Sequence, residues 1–213
     1  MPVVAIDGPA GSGKSTVARA LARRLGLAYL DTGAMYRSVA FAALHRGVPV
    51  DDADAVGRLA GEVDLAVDDV VLVDGVDATT AIRGPDVTRA VSTVAANPAV
   101  RSELVRRQRA WVEEHGGGVV EGRDIGTVVL PDADLKVFLT ASDEERARRR
   151  HQEVTELAVE QVASDLARRD HLDSTRATSP LRAAEDAVVV DTTTLAVDAI
   201  VEDLLSRLKE GGR

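Results

Sequence analysis

Gly8-Pro9-Ala10-Gly11-Ser12-Gly13-Lys14-Ser15 fits the pattern G-x-x-x-x-G-K-[ST], and Thr16 follows directly. These residue types at this spacing make a phosphate cradle. Glycines let the backbone curl until its N–H groups converge on phosphate oxygens. A helix opening at Lys14 aims its positive end at the same point. Lys14 can then bridge the β- and γ-phosphates, and the Ser15 hydroxyl can hold Mg²⁺. The expected ligand of residues 8–16 is a nucleoside triphosphate. A chance glycine-rich turn is the plain alternative. An apolar strand-like run before the loop and a helical pattern after it weigh against that.

A second acid and a set of arginines add to this chemistry. Val119-Val120-Glu121 ends a β-rich run on a carboxylate, where it can order Mg²⁺ through water; alternatively it is a strand-end surface acid. Of the 26 basic residues 23 are Arg, so single arginines carry little information and their spacing carries more. Arg146, Arg149 and Arg150 sit at i, i+3 and i+4, on one helical face. Arg169 falls near the end of the next helix, and Arg176 lies in a loop bounded by Pro180. Like charges gathered this way are stabilised by anions between them, as on a phosphoryl group in transfer. A solvated basic helix is the other reading.

The elements that must position these groups are legible as short apolar runs separated by helical patterns. Val3 to Ile6, Ala28 to Leu30, Val119 to Glu121, Leu135 to Leu139 and Val188 to Val190 read as parallel strands covered on both faces. Lys14 to Leu25 is a helix stopped by Gly26, and Asn97-Pro98 caps a helix running to about Glu114. Ser142-Asp143-Glu144-Glu145 is a capping box that opens the arginine helix, and Ala196 to Leu208 is amphipathic. Alternation of this kind predicts an α/β doubly wound parallel sheet of about five strands with flanking helices. One stretch breaks the rhythm. Asp74-Gly75 between β-formers signals a hairpin, so residues 62–82 are expected to form a small antiparallel β insert, between helices near Asp54 to Leu59 and Asp86 to Ala95.

Composition narrows the function. The 213 residues carry 26 basic and 35 acidic groups, a net charge of −9, which disfavours nucleic acid and anionic membranes as partners. Cysteine is absent, which excludes disulfides, thiol nucleophiles and Fe–S clusters. No apolar run nears the ~20 residues of a membrane span, and the N-terminal run lacks a basic region before its first acid, so a cytoplasmic protein is expected. Asn97 is the sole Asn and is followed by Pro98, so the N-K-x-D element with which GTPases read guanine is missing.

Several longer segments resemble bacterial cytidylate kinases, which phosphorylate CMP and dCMP, along almost the whole chain. They are Ile6-Asp7-Gly8-Pro9, Leu30-Asp31-Thr32-Gly33-Ala34-Met35-Tyr36-Arg37, Arg106-Arg107-Gln108-Arg109 and Glu121-Gly122-Arg123-Asp124-Ile125-Gly126-Thr127-Val128-Val129. Arg169-Asp170, Asp173, Arg176, Ser179-Pro180-Leu181 and Asp186-Ala187 continue the likeness. The resemblance implies a P-loop core (1–32, 116–142, 173–213), a nucleoside-monophosphate-binding region (33–115) and a helical lid (about 143–172). It also implies roles. Arg37 and Arg123 would grip the CMP phosphate, with Thr32 close by; Ser92, Arg101 and Asp124 would read cytosine. Arg169, Asp173 and Arg176 would contact sugar and phosphate, while Arg146 and Arg150 would close over ATP.

Chemistry supports several of these assignments. A carboxylate such as Asp124 accepts from the 4-amino group of cytosine and would face the oxygen of uracil with a buried, unpaired charge. Alternatively, Asp124 and Arg123 pair with each other, and Ser92 only faces solvent. The reaction this implies is transfer of the γ-phosphoryl group of Mg·ATP to CMP or dCMP by a monomer, with Lys14, Arg123, Arg146 and Arg150 as catalytic groups and no role for any of the four His residues. Other small-molecule P-loop kinases, acting on UMP, AMP or a shikimate-like alcohol, are the rivals among enzymes. A nucleotide-dependent regulatory protein is the rival outside them.

Overall fold

Along the chain run β1 (Val3–Asp7), α1 (Lys14–Leu25), β2 (Tyr29–Asp31), α2 (Thr32–His45), α3 (Ala53–Glu62), β3 (Leu65–Val67), β4 (Val71–Val73) and β5 (Val76–Asp77). Then come α4 (Pro85–Ala96), α5 (Pro98–His115), β6 (Gly118–Gly122), β7 (Leu135–Thr140), α6 (Asp143–Glu153), α7 (Val159–Ser174), β8 (Val188–Asp191) and α8 (Val197–Gly211). This is a computed structural model in which residues 1–153 and 158–211 are described; residues 154–157 of the expected lid segment lie outside them. The chain divides into two units, Met1–Tyr29 with His115–Arg213, and Leu30–Glu114.

The five expected strands form one sheet in the order β2-β6-β1-β7-β8. β1 pairs in parallel with β6 and β7, and β7 pairs in parallel with β8. Val4 and Ile6 of β1, Val119, Val137 and Leu139 turn one face of the sheet onto Val17 and Leu21 of α1 and Ile200, Val201 and Leu204 of α8. With so few aromatics, that core is built from β-branched residues and Leu.

The strand order carries the functional consequence. From β1 the chain crosses past β6 to β2, and later returns across β1 from β6 to β7. That reversal is a topological switch point, where crevices open beyond the carboxyl ends of parallel strands. Register aligns those ends: Asp7 lies opposite Gly122 and Phe138, and Thr140 opposite Asp191. Gly8, Arg123, Ser142 and Thr192 therefore leave the sheet along one edge.

In the second unit the insert is a three-stranded antiparallel sheet, β3-β4-β5, as the hairpin signal predicts. Val73 faces Val76, and the two residues between them, Asp74 (φ 52°) and Gly75 (φ 78°), are both left-handed, as a type I′ turn demands. Val71 and Val73 are buried while Leu72 points out, the period-two pattern of a one-sided sheet. Asn97 Oδ1 accepts from Ala99 N at 2.9 Å to start α5. Ser142 Oγ accepts from Glu145 N at 3.2 Å to start α6.

Two elements go beyond the sequence patterns. α2 follows β2 with no intervening loop, capped by Asp31, whose carboxylate accepts from Ala34 N at 2.9 Å. Nine of its fourteen residues are buried, so it shows no polar stripe for periodicity to find. The stretch Ile125–Val129, β-branched except at Gly126, forms a single π-helical turn. The amides of Val129 and Leu130 reach the carbonyls of Asp124 and Ile125 at 3.2 and 2.7 Å.

Candidate active site

Gly8 begins the loop between β1 and α1 with φ +148°, and a Cβ placed there would lie 2.1 Å from the carbonyl oxygen of Leu139. The loop is held from several sides within the first unit. Ala10 N donates to Asp170 at 3.2 Å, and the Ala10 carbonyl accepts from Arg146 at 3.1 Å. Arg146 also pairs with Asp170 and Asp143, so α6 and α7 are both tied to the cradle. Arg149 adds a second tie. It donates to the hydroxyl and carbonyl of Thr192 at 2.9 and 2.7 Å, and that buried hydroxyl donates to the Ser12 carbonyl at 3.0 Å. Arg146 and Arg149 of the arginine face are thus used against the loop, while Arg148, off that face, is exposed and paired with Glu145.

Lys14 is buried, and its ammonium donates to the Pro9 carbonyl at 2.7 Å. Burial, and then the Arg123 charge, push its pKa down to about 7, against the pull of Glu121, Asp7 and Asp170. Ser15 and Thr16 are exposed on the first turn of α1. Glu121 is buried at the end of β6 and accepts from the Tyr29 hydroxyl, which removes the reading of it as a surface acid.

Beyond Glu121 the chain delivers Arg123, whose carboxylate partner is Asp173, at 2.9 Å, and whose Nη1 donates to the Gly8 carbonyl at 3.1 Å. Arg169 stands beside it. Burial first, and then the Arg123 and Arg150 charges, lower its pKa to about 10, against Asp173 and Asp170. Its Nε is buried without a hydrogen-bond partner. Arg176 Nη2 donates to the Ser179 carbonyl at 2.8 Å, and its Nη1 is 3.9 Å from Asp173. Asp124 is buried. Next to it Asp7, pushed up to about 6 chiefly by burial, accepts from the amides of Ile125 and Gly126, both at 2.8 Å.

The remaining expected residues belong to the second unit. Arg37, on α2, donates through Nη1 to the Ile82 carbonyl and the Thr88 hydroxyl, both at 2.9 Å. Ser92 is half-buried one turn beyond Thr88 on α4. Thr32 is buried in the first turn of α2. Arg101 is buried on α5, donates to the Ala95 carbonyl at 3.3 Å and lies 5.5 Å over the Tyr36 ring. Sequence reasoning assigned no role to Asp7, Tyr29, Thr88 or Asp170, and it grouped Arg149 with the anion-facing arginines without seeing its bonds to Thr192. Asp7 and Asp170 stood inside the quoted segments, but their partners are 118 and 160 residues away.

The family model described as cytidylate kinase matches residues 4–210. The chain belongs to the cytidylate kinase family. The cytidylate kinase of Mycobacterium avium is 53% identical over 217 residues, covering 98% of this chain and 95% of that one. That of Geobacillus kaustophilus is 51% identical over 217 residues, covering 97% and 96%. A bifunctional pantoate ligase/cytidylate kinase of Synechococcus is 51% identical over 219 residues, covering 97% of this chain but 40% of its own length. Two solved structures share the fold alone. An uncharacterized protein of Eubacterium ventriosum has a TM-score of 0.54 at 12% identity, covering 98% of this chain and 99% of that one. A sugar kinase of Janibacter has a TM-score of 0.50 at 16% identity, covering 98% and 95%.

As a cytidylate kinase the chain is a phosphotransferase with a nucleotide substrate. No described helix is long and apolar enough to cross a membrane.

One titration follows from the burial of Lys14. The unfolded chain holds this proton up to the ordinary 10.5 and the folded kinase only to about 7. The unfolded state therefore binds more protons between those values, so this lysine opposes folding below pH 7 and the penalty fades as pH rises through that window. Lys14→Met is expected to exceed the parent in stability at pH 6 by about 2 kcal/mol, the relief of the burial penalty being partly offset by the lost hydrogen bond to Pro9. The gap should narrow towards pH 9, as read by denaturant unfolding at the two pH values.

Proposed function

We propose that this kinase moves the γ-phosphoryl group of Mg·ATP directly to CMP or dCMP, giving ADP and CDP or dCDP, and that it does so as a cytoplasmic monomer. The observation that carries the reading is the packing of cations at the carboxyl edge of the sheet. Arg123 lies near enough to Lys14 and Arg169 to depress both, and Arg150 adds to the effect on Arg169. A buried lysine with half-buried arginines gathered beside a phosphate loop favours two phosphorylated substrates meeting there.

An oxygen of the CMP phosphate, dianionic near neutral pH because such groups titrate near ~6, attacks the γ-phosphorus. The bond from γ-phosphorus to the bridging oxygen of ADP breaks as the new one forms, and no general base is needed. Residues 8–16 cradle the ATP phosphates, and Lys14 spans the transferred group. Arg123 and Arg37 hold the acceptor phosphate, with Thr32 alongside. Asp124, Arg101 and Ser92 read the base, while Asp173, Arg169 and Arg176 take sugar and phosphate. Asp173 is already oriented by Arg123.

Segment 143–172 acts as the lid over core residues 1–32, 116–142 and 173–213, with 33–115 as the acceptor region. Arg146 braces the loop through Ala10, and Arg150 reaches the moving phosphoryl group. Closure keeps water from competing as acceptor. Among the described residues no group of three or more His, Asp or Glu could hold a metal by itself. The oxygen donors at hand, the exposed Ser15 hydroxyl directly and the buried Glu121 carboxylate through water, suit Mg²⁺ arriving with the nucleotide. Bound there, Mg²⁺ neutralises charge on the β- and γ-phosphates.

An acceptor panel of CMP, dCMP, UMP, AMP and shikimate, read by coupled ADP release, tests the reading. CMP and dCMP are expected to dominate. ATP hydrolysis without an acceptor, and no CDP with CMP, would overturn it. In the same assay Asp124→Ala is expected to lower the CMP:UMP ratio of kcat/KM by about 100-fold, with a smaller change in the KM for ATP.

A further inference from the structure

Asp7 ends β1 immediately before Gly8, and phosphoryl transfer as described gives it no contact with either substrate. Its carboxylate is 4% exposed, and its two oxygens accept one amide each, from Ile125 and Gly126, at 2.8 Å. Those amides open the π-helical turn Ile125–Val129, and a helical turn has no internal acceptor for its first N–H groups. Asp124 occupies the N-cap position of the turn, where an aspartate ordinarily bends over to accept such donors itself. Here its side chain makes no capping bond. The cap comes instead from β1, across 118 residues of chain.

We propose that Asp7 is a positioning residue for acceptor specificity: by capping the 125–129 turn in place of Asp124, it holds the Asp124 carboxylate for the acceptor base. The inference rests on Asp124 as the reader of that base. The side-chain type supports it. Burial and the neighbouring Asp124 charge both work against an ionised Asp7. A neutral amide of the same size would escape that cost but has one acceptor oxygen for two converging N–H donors, and would set its own NH₂ against the second. Two neighbouring carboxylates at a buried edge are costly, so the presence of both points to a separate task for each. Here Asp7 caps and Asp124 reads.

The test compares the full-length kinase with Asp7→Asn, Asp124→Asn and the double variant. For each, kcat/KM is measured with CMP and UMP, together with the KM for ATP and the melting temperature. Asp7→Asn is expected to lower the CMP:UMP ratio about tenfold or more and to leave the ATP KM within about twofold. In the Asp124→Asn background it should lower the ratio no further, because both changes act through one carboxylate. Asp7→Ser, smaller and able to accept from one amide, gives the same reading if the asparagine variant does not fold. A fall in melting temperature with an unchanged CMP:UMP ratio would overturn the inference, since a merely structural cap behaves that way. Losses that multiply in the double variant would overturn it too. An Asp124→Asn variant that keeps its CMP preference defeats the reading of Asp124 and this inference with it. A collapse in Asp124→Asn but not in Asp7→Asn defeats this inference alone.

Discussion

Lys14→Ala is expected to cut kcat for CMP-dependent ADP formation by about 10³-fold with little loss of stability. Both halves follow from where the ammonium sits. Its ammonium is buried at the start of α1, 2.7 Å from the Pro9 carbonyl, and in the proposed reaction it meets the β- and γ-phosphates as negative charge develops on them. A preorganised donor in a water-poor site contributes about 10² to 10³ in rate on its own, and a full charge lies at the upper end. The fold does not need it. Burial and the Arg123 charge both oppose the protonated lysine, so removing it relieves repulsion and forfeits one hydrogen bond. Steady-state rates beside thermal melts separate the two halves. A variant that retains a tenth of the parental kcat would show that the lysine does not span the transferred group.

Gly8→Ala is expected to destabilise the kinase by about 4 kcal/mol, among the largest effects a single methyl group can have. A Cβ at this position would sit 2.1 Å from the Leu139 carbonyl oxygen, far inside van der Waals contact, and the obstacle is the backbone of β7, which cannot rotate away. The backbone also adopts φ +148°, which side chains rarely accept. β1 and β7 are neighbours in the centre of the sheet, so separating them would break the pairing of Asp7 with Phe138. Thermal unfolding should show the melting temperature lowered by roughly 8–16 °C. A variant that melts within about 2 °C of the parent would mean that the loop leaves the sheet along another path.

How far these features could be read in advance varies from residue to residue. The glycine-rich loop between β1 and α1, the five strands of the main sheet, the capped starts of α5 and α6, and the Asp74-Gly75 turn were all visible as short patterns. α2 was not visible, because a helix buried on most sides lacks the polar stripe that marks an amphipathic one. The shared face of Arg146, Arg149 and Arg150 could be counted off at helical spacing. The partners of Arg146 and Arg149 in other elements, Ala10, Asp170 and Thr192, could not. Asp124 was expected in the site from resemblance, yet the residue that caps its turn went unassigned. Arg123 beside Asp124 suggested a neighbour pair, whereas the partner proved to be Asp173, 50 residues on.

What the amino-acid order alone determined was therefore local: where strands and helices begin and stop, where a glycine-rich loop joins a strand to a helix, and where a hairpin would interrupt the α/β rhythm. Tertiary structure alone decided which charges meet across different elements. The order β2-β6-β1-β7-β8 carries Asp7 to Ile125, Thr192 to Ser12 and Arg123 to Asp173. The reason is one of range. Backbone preferences, caps and turn chemistry act over a few residues, so they leave their mark in sequence spacing. Ion pairs and borrowed caps form between strand ends that become neighbours only when the crossover connections close, and no spacing along the chain records that.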